Sequence, residues 1–184
     1  MKRKTAKEIL ADSFLELAGQ VSVDKITVKA IVENCGYSQA TFYRQFKDKY
    51  DLIAWEYSRR VSAIMDRVGA GEYPWRQTTL EGALYFQSHR EYLANLFMHT
   101  TGLDSFVFHM VELNYRHLRD CVVRALGGEM PDEKTEMYLR AYCHGTVDLT
   151  CEWVLGKYKA SAQDLAEVFE NCLPAPLRPL LYEQ

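Results

Sequence analysis

The stretch Thr27-Val28-Lys29-Ala30-Ile31-Val32-Glu33-Asn34-Cys35-Gly36-Tyr37-Ser38-Gln39-Ala40-Thr41-Phe42-Tyr43-Arg44-Gln45-Phe46-Lys47-Asp48-Lys49 decides how this chain is read. Thr27 is a helix-capping residue followed by Val28, Ile31 and Val32 at helical spacing, and Asn34-Cys35-Gly36 is a helix stop with glycine in its usual place. Ser38 caps a second short helix through about Arg44, and Asp48 caps a longer one from Lys49 to about Val68. Two helices of about seven residues joined by a three-residue turn with glycine have the size and punctuation of a helix-turn-helix. Helices that short need a partner to pack on. The segment Lys4–Ala18, stopped by Gly19, provides one, and Phe14/Leu17, Val28/Ile31/Val32 and Phe42/Phe46 are the expected shared core.

Once Phe42 and Phe46 turn inward, the second helix presents Gln39, Ala40, Thr41, Tyr43 and Arg44 outward. Glutamine can pair bidentately with adenine, and alanine and the threonine methyl can meet the methyl group of thymine. Thr27, Lys29, Tyr43, Lys47 and Lys49 are expected to donate to phosphates, joined by free N–H groups at the start of the helix that Asp48 caps.

Thr27-Val28-Lys29-Ala30-Ile31-Val32, Gly36-Tyr37-Ser38 and Thr41 through Lys49 resemble the DNA-binding signature of the TetR family of bacterial transcription regulators, over about residues 5–53. Asp24 through Lys29 and Phe46 through Ile53 resemble the subgroup that includes regulators of dihydroxyacetone kinase operons. The resemblance implies DNA contacts from Thr27, the helix Ser38–Arg44, Tyr43 and Lys49. It also implies a C-terminal helical body that pairs into a homodimer and commonly holds an inducer. The family often has a small aliphatic residue where Tyr37 stands and a basic or small residue in the Gln39-Ala40 pair, so no operator sequence carries over.

The rest of the 184 residues reads as helix throughout, since apolar residues recur at helical spacing and no strand alternation persists. Gly69-Ala70-Gly71 and Pro74 break the chain, after which helices are expected at Trp75–Ser88, Arg90–His99, Leu103–Leu126, Asp132–Gly156 and Ser161–Cys172, with a proline-rich tail from Pro174. The net charge of −3 hides a split. Residues 1–50 hold nine Lys/Arg against six Asp/Glu, a charge of +3, and residues 51–184 hold thirteen against nineteen, a charge of −6. A basic N-terminal part suits a polyanionic partner. Five scattered cysteines without a CxxC pair suit reduced thiols in a cytoplasmic protein. Lys2-Arg3-Lys4 leads into charged residues, so no secretory leader is expected, and the most apolar window, Met137–Leu155, contains Arg140, His144, Asp148 and Glu152, so no membrane span is expected.

The five histidines show no HExxH, and His144, Asp148 and Glu152 share a face without a second histidine. His117 and Cys121, one turn apart, could share an ion with Cys143, but ordinary polar packing is the simpler reading. No metal, no cofactor and no catalytic residue is expected. Between Ala141 and Gly156 only Asp148 and Glu152 are charged, so this helix should be buried on two sides. One side would pack on its own chain; the other, with Leu165, Val168, Phe169 and Cys172 of the following helix, would build a homodimer from the last two long helices. Phe86, Phe97, Phe106, His109, Met110, Leu113, Tyr142, Thr146 and Trp153 are the expected lining of an apolar ligand pocket.

The whole is expected to be all-α: a three-helix helix-turn-helix domain over residues 1–48, then a helical dimerisation and ligand-sensing domain over residues 49–184. The function expected is a homodimeric, DNA-binding transcription regulator, a repressor released from double-stranded operator DNA by a small-molecule inducer. It would be no enzyme. An activator controlled by a partner protein is the main rival, and a small helical enzyme using His/Cys chemistry a remote one.

Overall fold

A computed structural model describes residues 3–65, 67, 75–99 and 106–182, the side chains of Asn95 and His99 excepted. Helix α1, Ala6–Ala18, starts two residues later than the pattern of charges suggested because Thr5 caps it: the Thr5 hydroxyl accepts from Glu8 N–H, and the Glu8 carboxylate accepts from Thr5 N–H at 2.7 Å. A 3-10 turn at Val23–Lys25 leads to α2, Val28–Cys35, and α3, Gln39–Gln45. Thr27 and Ser38 cap them as expected, accepting from Ala30 N–H and Thr41 N–H, each at 3.1 Å. The turn between them depends on Gly36, whose φ of 73° is left-handed. There Tyr37 N–H reaches back to the Val32 carbonyl at 2.8 Å and closes the helix end. Gly19 ends α1 without using that freedom, at φ −74°.

Leu10, Phe14, Val23, Ile26, Ile31, Val32, Phe42 and Phe46 are buried together beneath these three helices, while Leu17 and Val28 are half-buried at its edge. One polar group is set into this core. The buried Ser13 hydroxyl donates to the Ile31 carbonyl at 2.7 Å and accepts from the Asn34 amide at 3.1 Å, fixing α1 against α2.

Helix α4, Lys49–Met65, carries the chain out of this unit; its expected end at Val68 and the glycine-proline break after it lie outside the described residues. Helices α5, Trp75–Ser88, and α6, Arg90–His99, have the expected bounds. Helix α7 is described over Phe106–Ala125, and the expected start at Leu103 lies outside the described residues. Helix α8, Glu133–Val154, is capped by Asp132, and α9, Ala162–Asn171, by a reciprocal Ser161–Asp164 box. The tail docks: a 3-10 turn at Ala175–Leu177 and helix α10, Arg178–Tyr182, bury Leu177 and Leu181, each worth about 1.5–3 kcal/mol of apolar burial. All regular structure among the described residues is helical.

Among the described residues the body grips the N-terminal unit at several points. Helix α6 packs on the 3-10 turn, and Tyr92 sets its ring edge-on to Phe14 at 5.8 Å. On α4 the buried Glu56 carboxylate pairs with Arg59 and Arg60, both at 2.8 Å, and Arg59 lies 3.6 Å from Glu8 of α1. A buried carboxylate needs such partners.

Helix α8 has two unlike faces. Leu139, Tyr142, Cys143, Val147, Trp153 and Val154 are buried within the chain, whereas Met137, Ala141, His144, Gly145, Asp148 and Leu155 lie along its exposed side. Two of the α9 residues expected to face a second subunit are used internally, because α9 lies along α5. Leu165 is buried, and Phe169 turns into the space between the two helices and α8. Val168 and Cys172 remain exposed.

Candidate nucleic-acid interface and internal cavity

On α3, Phe42 is fully buried and Phe46 nearly so, which leaves Gln39, Ala40, Tyr43 and Arg44 exposed in one surface and Thr41 half-buried beside them. Tyr43, 58% exposed, stands edge-on to Phe42 at 5.5 Å, so its phenol is aimed outward from a fixed base. The Thr41 hydroxyl shares a 3.0 Å hydrogen bond with the Ser38 hydroxyl. Arg44 Nε donates to the Ala40 carbonyl at 3.3 Å, laying the guanidinium along the helix with further N–H groups to offer. Thr27 is exposed next to this surface, and its hydroxyl, having accepted from Ala30, can still donate. Lys29 and Lys47 are exposed, Lys29 in a loose 3.8 Å pair with Glu33.

Lys49 does something other than point at a phosphate. Its Nζ donates to the carbonyls of Val23, Asp24 and Ile26 at 2.8, 3.1 and 2.9 Å, which takes up all three of its N–H bonds. Partial burial lowers its pKa, with the nearby Asp24 acting in the other direction. The lysine thus ties α4 to the 3-10 turn in front of α2. The free N–H groups expected at the start of α4 are also engaged, since the Asp48 carboxylate accepts from Tyr50 and Asp51 N–H, both at 2.9 Å.

In the body, a cavity of about 120 Å³ lies between α4, α5, α7, α8 and α9. Of the nine residues expected to line it, Phe86, Met110, Tyr142 and Thr146 do. The other five are committed elsewhere. Phe97 stacks on Phe106 at 6.0 Å, and Phe106 packs edge-on to Tyr57 at 5.0 Å. His109 shares a 3.2 Å hydrogen bond with Ser58, and burial lowers its pKa. Leu113 is buried apart from the cavity. The Trp153 indole donates to the Ala160 carbonyl at 2.7 Å, folding the turn after α8.

Sequence reasoning missed the α4 side of the cavity and the start of α5, which bring Tyr57, Val61, Trp75, Thr78 and Thr79. The one available signal was the spacing of Trp75, Thr78 and Thr79 at i, i+3 and i+4. Tyr57 Oη, Trp75 Nε1 and Thr78 Oγ1 are buried without a hydrogen-bond partner among the described residues. The Asn114 side chain acts on the Tyr57 phenol and the Trp75 indole on the Tyr142 phenol, although neither contact reaches full hydrogen-bond geometry. Among the described residues no group of three or more His, Cys, Asp or Glu is placed to hold a metal ion, and no helix is long and apolar enough to cross a membrane.

A short exposed helix held on a three-helix core, packed against a helical body that holds a cavity, defines a helix-turn-helix DNA-binding regulator. The chain belongs to the TetR family: residues 12–54 match the description "Bacterial regulatory proteins, tetR family", and residues 74–174 match "Transcriptional regulator C-terminal region". Solved structures with the same fold include the dihydroxyacetone kinase operon activator DhaS, at 16% identity and a TM-score of 0.71 over 96% of this chain and 98% of that one. A TetR transcriptional regulator from Rhodococcus sp. RHA1 follows at 14% identity and 0.67, over 97% and 100%. The Thermus thermophilus repressor FadR, solved with lauroyl-CoA, gives 15% and 0.65 over 91% and 92%. No curated protein sequence matches the chain.

Proposed function

We propose that this protein is a homodimeric transcription repressor of the cytoplasm, reading operator DNA with residues 1–48 and releasing it when a small molecule enters the cavity of residues 49–184. The observation that carries the reading is the exposed surface of α3, where Gln39, Ala40, Tyr43 and Arg44 project from a helix whose Phe42 is fully buried. Gln39, Ala40, Thr41 and Arg44 meet base edges, and Thr27, Lys29, Ser38, Tyr43 and Lys47 meet phosphates. Lys49 acts one step behind them, holding the loop that presents Thr27.

Dimerisation uses the exposed side of α8, where Met137, Ala141, His144 and Asp148 recur at coiled-coil spacing and Ala141 and Gly145 let a second helix approach closely. Val168 and Cys172 of α9 flank that stripe. A dimer sets two α3 helices roughly 34–36 Å apart, one turn of DNA. A ligand that prefers another spacing shifts the population away from binding. Tyr57 in the cavity and Lys49 at the DNA end share α4, about 12 Å apart at helical rise, and α6 touches the N-terminal core through Tyr92. That a neighbour of the same fold was solved with lauroyl-CoA supports a ligand-holding body in general terms.

The test is selection of a duplex from a random library, followed by anisotropy titration at several salt concentrations. Affinity should fall steeply with salt, and Arg44→Ala should weaken the selected duplex far more than random DNA. No enrichment of any duplex would refute the reading.

A further inference from the structure

The cavity differs from a simple packing defect in the state of its polar atoms. Its hydroxyl and indole groups fall into two sets. Thr79, Tyr142, Thr146 and Thr150 donate to the backbone carbonyls of Arg76, Phe169, Tyr142 and Thr146 at 2.7–2.9 Å and have nothing more to give. Tyr57, Trp75 and Thr78, only 2%, 5% and 5% exposed, keep polar atoms with no partner at full hydrogen-bond geometry among the described residues. Trp75 and Thr78 are one turn apart on the same face of α5, and Tyr57 faces the same space from α4. Buried donors in this condition each cost free energy that a bound acceptor would recover.

The chemistry of the three narrows what can enter. An indole N–H donates and cannot accept, so a molecule seated against Trp75 must offer a lone pair. The hydroxyls of Tyr57 and Thr78 can complete the same acceptor. Burial drives the Tyr57 phenol far above its ordinary pKa of 10, so it stays neutral and supplies no anion for a cationic ligand. No Asp, Glu, Lys, Arg or His is among the described residues that line the cavity. A carboxylate or ammonium group would therefore be buried without a counter-charge, at heavy cost. Beyond these groups and the threonines the lining holds one amide, Asn114, and one thiol, Cys143, and is otherwise aliphatic and aromatic, with Val61, Met110 and Phe86 prominent. The volume of about 120 Å³ is near that of engineered cavities of about 150 Å³ that accept benzene.

We propose that the cavity binds an uncharged molecule about the size of one six-membered ring, carrying a hydrogen-bond acceptor such as a carbonyl oxygen that the Trp75 indole, with Tyr57 and Thr78, holds. The inference rests on the sensing role proposed above only for its biological meaning; binding itself is measured without DNA.

Calorimetric titration of the full-length protein with acetophenone, ethylbenzene and benzoate tests it. Acetophenone should bind, ethylbenzene, lacking the acceptor, about tenfold more weakly, and benzoate not measurably. Trp75→Phe should bring acetophenone down toward ethylbenzene while leaving ethylbenzene unchanged, and Thr78→Val, which keeps the side-chain shape, should act in the same direction should Trp75→Phe fail to fold. Equal binding of acetophenone and ethylbenzene, preference for benzoate, or no binding of any of the three would overturn the proposal. Acetophenone binding that leaves affinity for the selected duplex unchanged would uphold the site and refute its sensing role.

Discussion

Replacing Lys49 by methionine removes an ammonium while keeping most of the apolar stem, and it separates two roles that predict different results. In the structure the ammonium holds the carbonyls of Val23, Asp24 and Ile26. A hydrogen bond from a charged donor nets about 1.5–3 kcal/mol when buried. Three would sum to far more than one lysine can contribute here, because the group is only half-buried and water replaces part of what is lost. The cost of desolvating the ammonium, visible in its lowered pKa, offsets a further part. A net loss of about 2 kcal/mol in urea unfolding at fixed protein concentration is therefore expected. Affinity for the selected duplex should fall with it, since the 3-10 turn that leads to Thr27 loses its tie, while the slope of affinity against salt stays as in the wild type. A phosphate contact predicts the reverse: stability within about 0.5 kcal/mol of wild type and a salt slope smaller by roughly one. That second pattern would refute the bracing role.

Two further outcomes follow from the body. A Cβ built at Gly145 meets nothing within 4 Å among the described residues, so Gly145→Leu should leave the monomer folded but block close approach along α8, giving monomers in sedimentation; an unchanged dimer would place the interface elsewhere. Glu136, although burial pushes its pKa up, is held below the ordinary 4.5 by the hydrogen bonds from Tyr115 and Arg119 and the charges of Arg119 and Arg140. A lowered carboxylate contributes stability above its unfolded pKa and loses it as pH falls through the folded one. Glu136→Gln should accordingly be less stable than wild type near pH 7, with the difference in thermal midpoint shrinking below about pH 4.5; a difference independent of pH would show that the charge is not what matters.

What the sequence made legible follows from the range of the interactions involved. Thr27, Ser38, Asp48, Asp132 and Ser161 cap helices through bonds two or three residues away, so they announce helix starts locally. Gly36 marks its turn for the same reason. Lys49 was misleading because its partners lie 23 to 26 residues back, and nothing in the local pattern shows an ammonium folding toward them. The cavity is harder still, being assembled from five helices. Residue character picked out Phe86, Met110, Tyr142 and Thr146 but could not separate them from Trp153, whose indole is used in a turn, or from Phe97 and Phe106, which stack on each other. Leu165 and Phe169 looked like interface residues because an amphipathic helix does not state which neighbour its apolar stripe faces.

The most direct measurement of the central claim is a hydroxyl-radical footprint of the protein on the selected duplex. A dimer reading DNA through α3 gives two protected patches in inverted repeat, centred about one helical turn apart, both lost when Tyr43 and Arg44 are replaced by alanine. A single patch, or two patches that survive the double substitution, would contradict a dimer reading DNA through α3.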